Sequence, residues 1–255
     1  MAKGIRKPGD FSWINMLTRH PDQAREFFGK LLGWTYIEIP GMGHRMQVDG
    51  HDIGGVFDLD GPNTPPGTPA YIGVMLKVEN ADATCARVTA LGGRALPPFD
   101  IMDQGRMAVC FDPNGAEFDI WQALKGPGTD ADSQHHGAPS WYENATHDVG
   151  VAKKFYTELF GWTPESMDMG GTPYTVFKLG GEYVAGLTPL SPQMGAVKPH
   201  WATTFTVRDV EAAAREAVAL GGTVHVPIQP VPGMGRFCGI TSPQRVAFYV
   251  IQYGG

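Results

Sequence analysis

Apolar and polar residues alternate over residues 11–17, then switch to helical spacing: Ala24, Phe27, Phe28, Leu31 and Leu32 share one face of residues 21–32. Gly33 follows as a C-cap. Period-two alternation returns in three stretches, 35–39, 44–48 and 53–59, and predicts short strands. The order restarts at Ala70 with a strand over 71–78 and a helix over 81–91 closed by Gly92-Gly93. Strands follow near 94–96, 106–111 and 117–122. Glycines at Gly33, Gly54-Gly55, Gly92-Gly93 and Gly170-Gly171 read as turns. The first half is therefore two βαβββ units.

The pattern then repeats. Phe11 to Trp34 aligns with Pro139 to Trp162 at a constant offset, matching Trp13 to Trp141, Phe27 to Phe155, and Gly33-Trp34 to Gly161-Trp162. Residues 105–122 align with 235–252, pairing Gly105-Arg106 with Gly235-Arg236, Pro113 with Pro243 and Gln122 with Gln252. Strands near 140–146 and 200–207 and helices near 149–160 and 209–220 complete the second copy. The expected division is a first domain over 10–124, a polar Gly-rich linker over 125–137 and a second domain over 138–253.

A chain of 255 residues has room for two such cores. The charge of −6 argues against nucleic acid or an anionic membrane as partner. No apolar run approaches the ~18 residues of a membrane span. MAKGIRKPGD carries basic residues without a following apolar stretch, so it does not read as a signal peptide. Cys85, Cys110 and Cys238 are scattered and odd in number, which suits reduced thiols and a cytoplasmic location.

One βαβββ unit covers a single face of its sheet with its helix. Two units side by side curl into a cup with helices outside and a cavity inside. The openings ending in FFGKLLGW and FYTELFGW, the Leu-Gly-Gly after each second helix, and the turn Asp112-Pro113-Asn114-Gly115 carry a resemblance. On them the chain resembles the vicinal-oxygen-chelate superfamily of glyoxalases, bleomycin-resistance proteins and extradiol dioxygenases. It looks most like its two-domain actinobacterial-type members. The resemblance implies an α+β fold of tandem glyoxalase-like domains: four βαβββ units, two cupped mixed sheets, helices outside.

Strand parity sorts the cup residues. Phe11, Trp13, Asn15 and Leu17 should face inwards, as should Tyr71, Gly73, Met75, Lys77, Glu117, Asp119 and Trp121. In the second copy the inward set is Trp141, Glu143, Ala145, His200, Ala202, Thr204, Thr206, Arg236, Cys238, Ala247, Tyr249 and Ile251. The superfamily's metal positions fall at Trp13, Gly73 and Asp119, and at Trp141, Ala202 and Tyr249 in the repeat. Only Asp119 is a ligand type, so the expected cofactor is none. A nonstandard divalent site near His200 and Glu143 is the alternative.

What remains is an aromatic-lined cup for a small, flat or amphipathic molecule. Trp13, Asn15, Tyr71, Trp121, Trp141 and Tyr249 are the expected contacts. Arg106 and Arg236 are expected to bind an acidic group or, failing that, to pair with Asp119 or Glu143. Glu143, Asp119 and His200 are the candidate acids and bases should the protein be an enzyme: a lyase, isomerase or oxygenase. Each half can complete its own cup, so a monomer or a homodimer both fit.

Overall fold

The computed structural model describes residues 2–61, 64, 67–169, 173–191 and 197–254. The first unit is β1 (Phe11–Thr18), α1 (Pro21–Leu32), β2 (Thr35–Ile39), β3 (Gly43–Val48) and β4 (His51–Asp58). The second is β5 (Tyr71–Val78), α2 (Ala81–Ala90), β6 (Arg94–Ala95), β7 (Phe99–Ile101), β8 (Gly105–Phe111) and β9 (Glu117–Ala123). The second half opens with β10 (Pro139–Thr146), α3 (Val149–Phe160), β11 (Thr163–Asp168), β12 (Pro173–Leu179) and β13 (Glu182–Pro189). It closes with β14 (His200–Thr206), α4 (Val210–Ala219), β15 (Thr223–Val231), β16 (Gly235–Thr241) and β17 (Ala247–Tyr253).

Each half builds one mixed sheet. The strand orders are β2-β3-β4-β1-β5-β9-β8-β6, with β7 beside β8, and β11-β12-β13-β10-β14-β17-β16-β15. The two units meet at the centre through antiparallel β1–β5 and β10–β14 pairs, and each first strand also pairs in parallel within its unit. This is the tandem cupped α+β architecture that the repeat implied. α2, α3 and α4 start on side-chain caps: Asn80, Asp148 and Asp209 accept the N–H of Ala83, Val151 and Ala212. α1 starts on Pro21 instead. It ends at Gly33, which is left-handed, as is Gly161 after α3.

The helices lie on the convex faces, and the convex faces meet. Phe28 of α1 stacks on Trp34 and meets Phe248 of β17. Phe155 and Tyr156 of α3 meet Phe118 of β9. Each half's first helix is thus packed between the two sheets, in one continuous apolar core. The concave faces consequently look away from each other. Burying each such large side chain is worth about 1.5–3 kcal/mol.

Several parity and turn expectations are corrected. The register of β1 shifts between Phe11 and Trp13, so Phe11 sits opposite Leu76 on the convex side. There it stacks on Tyr142 rather than on the first cup's floor. Arg236 and Cys238 pair with Gln252 and Val250, and directly opposed residues share a face. Cys238 is accordingly in the core. Gly54-Gly55 is not a turn but part of β4. A Cβ at Gly54 would lie 2.3 Å from the Ile14 carbonyl, so glycine is required by close backbone approach. Gly170-Gly171 lies outside the described residues.

Candidate functional site

The central strands carry the candidate side chains into the two concave faces. In the first cup, Asn15 of β1 lies opposite Gly73, and Met75 of β5 lies opposite Asp119 of β9. Asn15 donates its amide N–H to Asp119 Oδ2 at 3.1 Å. Tyr71 donates its hydroxyl to Glu117 Oε1 at 2.9 Å. Asp119 is buried, and its Oδ1 has no partner. Burial first, and the Glu117 charge second, push its carboxyl up to about 7, against the pull of the Asn15 hydrogen bond. Burial raises Glu117 and Tyr71 as well.

The floor of the first cup is partly covered. Asn15, Met75, Asp119 and Trp121 are all buried. Trp121 donates its indole N–H to the Gly126 carbonyl at 2.8 Å, so the segment joining the halves lies over it. Lys77 donates to Pro127 on that same segment at 2.9 Å. Trp13 remains half-buried on the concave side, opposite Met75. Trp121 is thus placed as packing under a connecting segment rather than as an open ligand platform.

The second cup is open. It encloses a cavity of about 900 Å³. Trp141, Glu143, Tyr174, Thr188, His200 and Tyr249 line its floor and one rim. Glu143, half-buried, takes the position that Asn15 holds in the first copy. Its Oε2 accepts the Tyr174 hydroxyl and its Oε1 the Thr188 hydroxyl. Trp141 in turn donates its N–H to Tyr174 Oη at 3.2 Å. Burial and the Glu143 charge both hold the Tyr249 phenol above its ordinary value. The N-terminal stretch, including Lys3, Arg6 and Lys7, crosses from the first half to form another wall.

His200 faces this cup at its exposed rim, but its Nδ1 bonds the Lys198 carbonyl at 2.8 Å and it makes no contact with Glu143. The two are therefore not a joined pair. Arg106 and Arg236 do not point into the cups. Arg106 reaches Asp82 of α2 at 2.9 Å and Asp100 of β7 at 2.9 Å. Arg236 reaches Glu211 in the first turn of α4, and Gln252 at 3.1 Å. They share the parity of Ala108 and Cys238, which face the helices, and they tie helix starts to the sheet. Neither pairs with Asp119 or Glu143.

Sequence reasoning missed Tyr174, Thr188 and the N-terminal wall. Tyr174 sits on β12, whose alternation Tyr174, Val176 was there to be read; the cup partner it finds, Glu143, is 31 residues away. The wall had no signal, because its residues are held by backbone bonds: Gly4 N–H to Asp130 and Ser133 N–H to Ala2, each at 3.0 Å.

A sequence family described as the Glyoxalase/Bleomycin resistance protein/Dioxygenase superfamily matches residues 10–120 and again 140–249. The chain belongs to this superfamily. "Putative glyoxylase CFP32" of Mycobacterium tuberculosis is 32% identical over 253 residues, covering 96% of this chain and 95% of that protein. "Anthracycline biosynthesis protein DnrV" of Streptomyces peucetius is 32% identical over 260 residues, covering 96% and 94%. Among solved structures, the Mn(II)-bound glyoxalase from Novosphingobium aromaticivorans superposes with a TM-score of 0.66 at 13% identity, over 99% of this chain and 83% of that one. Homoprotocatechuate 2,3-dioxygenase from Brevibacterium fuscum gives 0.67 at 14%, over 100% and 84%. At such identities the likeness is one of fold.

The expected ligand positions hold Trp13, Gly73 and Asp119, and Trp141, Ala202 and Tyr249. Asp119 alone offers a carboxylate there, and one of its oxygens already accepts from Asn15. In the second cup both Glu143 oxygens accept hydroxyls. No three His, Cys, Asp or Glu side chains among the described residues are grouped to hold a metal ion. This donor set does not fit a divalent metal.

Proposed function

We propose that the second cup binds a flat aromatic or amphipathic small molecule and does so without a metal. The observation that carries this reading is the cavity of about 900 Å³ floored by Trp141, Glu143 and Tyr249. A cavity of that size suits a drug-sized ligand. Its aromatic faces supply stacking area at low entropic cost, and the few polar groups fix orientation. The relative named for anthracycline biosynthesis supports an aromatic ligand, since anthracyclines are flat fused-ring compounds. The protein would act by sequestration, as in antibiotic resistance, or as a binding component in secondary metabolism. It would work in the cytoplasm as a monomer or homodimer.

Calorimetric titration with a planar hydroxyanthraquinone tests this. Trp141→Ala should weaken binding by about tenfold or more, while Trp13→Ala in the first cup leaves it unchanged. Loss on Trp13→Ala alone would move the ligand to the first cup and sink the reading.

A second reading is favoured by Asp119, the carboxyl pushed up to about 7. A buried acid near neutrality suits proton transfer, so the first cup could serve a lyase, isomerase or hydroxylase/dioxygenase-like activity. Unchanged turnover in Asp119→Asn would remove that reading.

A further inference from the structure

Glu143 is a half-buried carboxylate on the floor of an aromatic cup, and among the described residues no basic side chain lies within 4.0 Å of its oxygens. Its hydrogen bonds come from two neutral hydroxyls, Tyr174 and Thr188. It takes part in none of the ion pairs found among the described residues. Of the basic groups lining the cup, Lys3 belongs to the N-terminal wall, and Arg6, Lys7 and His200 are engaged elsewhere. Arg6 donates to the Gly4 and Ala131 carbonyls at 2.5 and 2.6 Å. Lys7 lies against the turn at Gly180 and in the field of Asp10. His200 is held at the rim by Lys198.

The duplication sharpens the contrast. At the equivalent position the first copy has Asn15, neutral and bonded to Asp119. The second copy has Tyr249 where the first has Asp119, so Glu143 has an aromatic neighbour there in place of a second carboxylate. Taking an anion partly out of water without a countercharge is costly, and a cation arriving there recovers that cost. Trp141 and Tyr249 flank the same floor, and their ring faces attract cations in their own right.

We infer that the second cup selects ligands carrying a protonated amine on an aromatic body, with Glu143 as the counter-ion. This rests on the reading of the second cup as a small-molecule pocket. The amine N–H groups would use the Glu143 lone pairs that Tyr174 and Thr188 leave free, and the aromatic body would lie along Trp141 and Tyr249.

Three acridines with one ring system test it: aminomethylacridine, a cation at neutral pH, methylacridine, neutral, and carboxyacridine, an anion. Isothermal titration of the full chain should show the aminomethyl compound binding at least about tenfold tighter than the methyl compound, and the carboxy compound weakest. Glu143→Gln keeps the shape and the hydrogen-bond capacity but removes the charge. It should erase the preference, bringing the aminomethyl compound to the affinity of the methyl compound in the same variant. Thr188→Val, which keeps the charge, should retain the preference and guards against a misfolded Glu143 variant. Equal binding of all three compounds, or a preference that survives Glu143→Gln, overturns the amine assignment while leaving an aromatic-binding cup in place. No binding of any acridine overturns both.

Discussion

Trp34 donates its indole N–H to the Gly137 carbonyl at 2.8 Å, across the junction between the halves. Trp162, its repeat equivalent, donates to Gly9 at 2.8 Å in return. Each accepting glycine stands two residues before the opposite half's first strand. The Gly-Trp pair after each first helix is therefore a reciprocal clasp as well as a helix end. Both indoles are buried, so each bond is made where water cannot replace it. Trp34→Phe and Trp162→Phe keep the ring and lose the donor. Each should cost about 1–3 kcal/mol, in similar amounts, through the orphaned carbonyl. Urea unfolding of the two variants checks both the size and the symmetry.

Gly137 offers a sharper perturbation of the same clasp. Its φ is +87°, and a Cβ there would fall 2.1 Å from the Leu32 carbonyl. Gly161, with φ +69°, has nothing within 4 Å of its would-be Cβ. Gly161→Ala should therefore cost only the left-handed backbone penalty, about 1–2 kcal/mol. Gly137→Ala adds a backbone collision that no side-chain rotation relieves, and should lose on the order of 3 kcal/mol or more. Thermal unfolding should rank them in that order. Equal losses would mean that the junction yields easily.

Arg106 and Arg236 test the corrected strand parity. Both lie on the convex side, at the starts of α2 and α4, with aspartate and glutamate partners there. Arg106→Ala and Arg236→Ala should leave acridine and anthraquinone affinities within roughly twofold of the parent, as expected for sites that share no partner with the cup. A large loss in Arg236→Ala, measured by the same calorimetry, would return that guanidinium to the second cup.

The fold was legible because the duplication writes every cue twice: Gly33-Trp34 with Gly161-Trp162, and Leu91-Gly92-Gly93 with Leu220-Gly221-Gly222. The central strands were legible for a related reason, since Ile14, Met16, Val74 and Leu76 are all core residues of unbroken alternation. Strand faces failed where alternation is interrupted. A register shift between Phe11 and Trp13 turned Phe11 over, and the mix of small and charged residues around Arg236 hid which side of β16 is apolar. The sites were only half legible. Trp141, Glu143 and Tyr249 follow from parity, but how far each cup is covered depends on what lies across it. Trp121 is covered by the connecting segment at Gly126, whereas the second cup borrows a wall from the N-terminus. Neither contact is local in sequence.

Asp119 couples the first cup to pH. Its carboxyl is raised to about 7 in the folded chain, above an ordinary value of 3.8. The folded state therefore holds this proton more tightly than the unfolded state does. Between those two values the unfolded chain has lost the proton and the folded chain has kept it, so stability falls as pH rises. The loss is complete above about 7 and absent below the ordinary value. At neutral and higher pH it is on the order of a few kcal/mol, worth ~2–4 °C of Tm per kcal/mol in a chain of this size. Asp119→Asn carries no titrating group and keeps an oxygen for the Asn15 amide. Its stability relative to the parent should rise steadily from about pH 4 to pH 7 and then level off. Thermal unfolding across that range measures the difference. A flat difference would show that Asp119 is ionised in the folded protein throughout, and that its unpartnered Oδ1 is satisfied by other means.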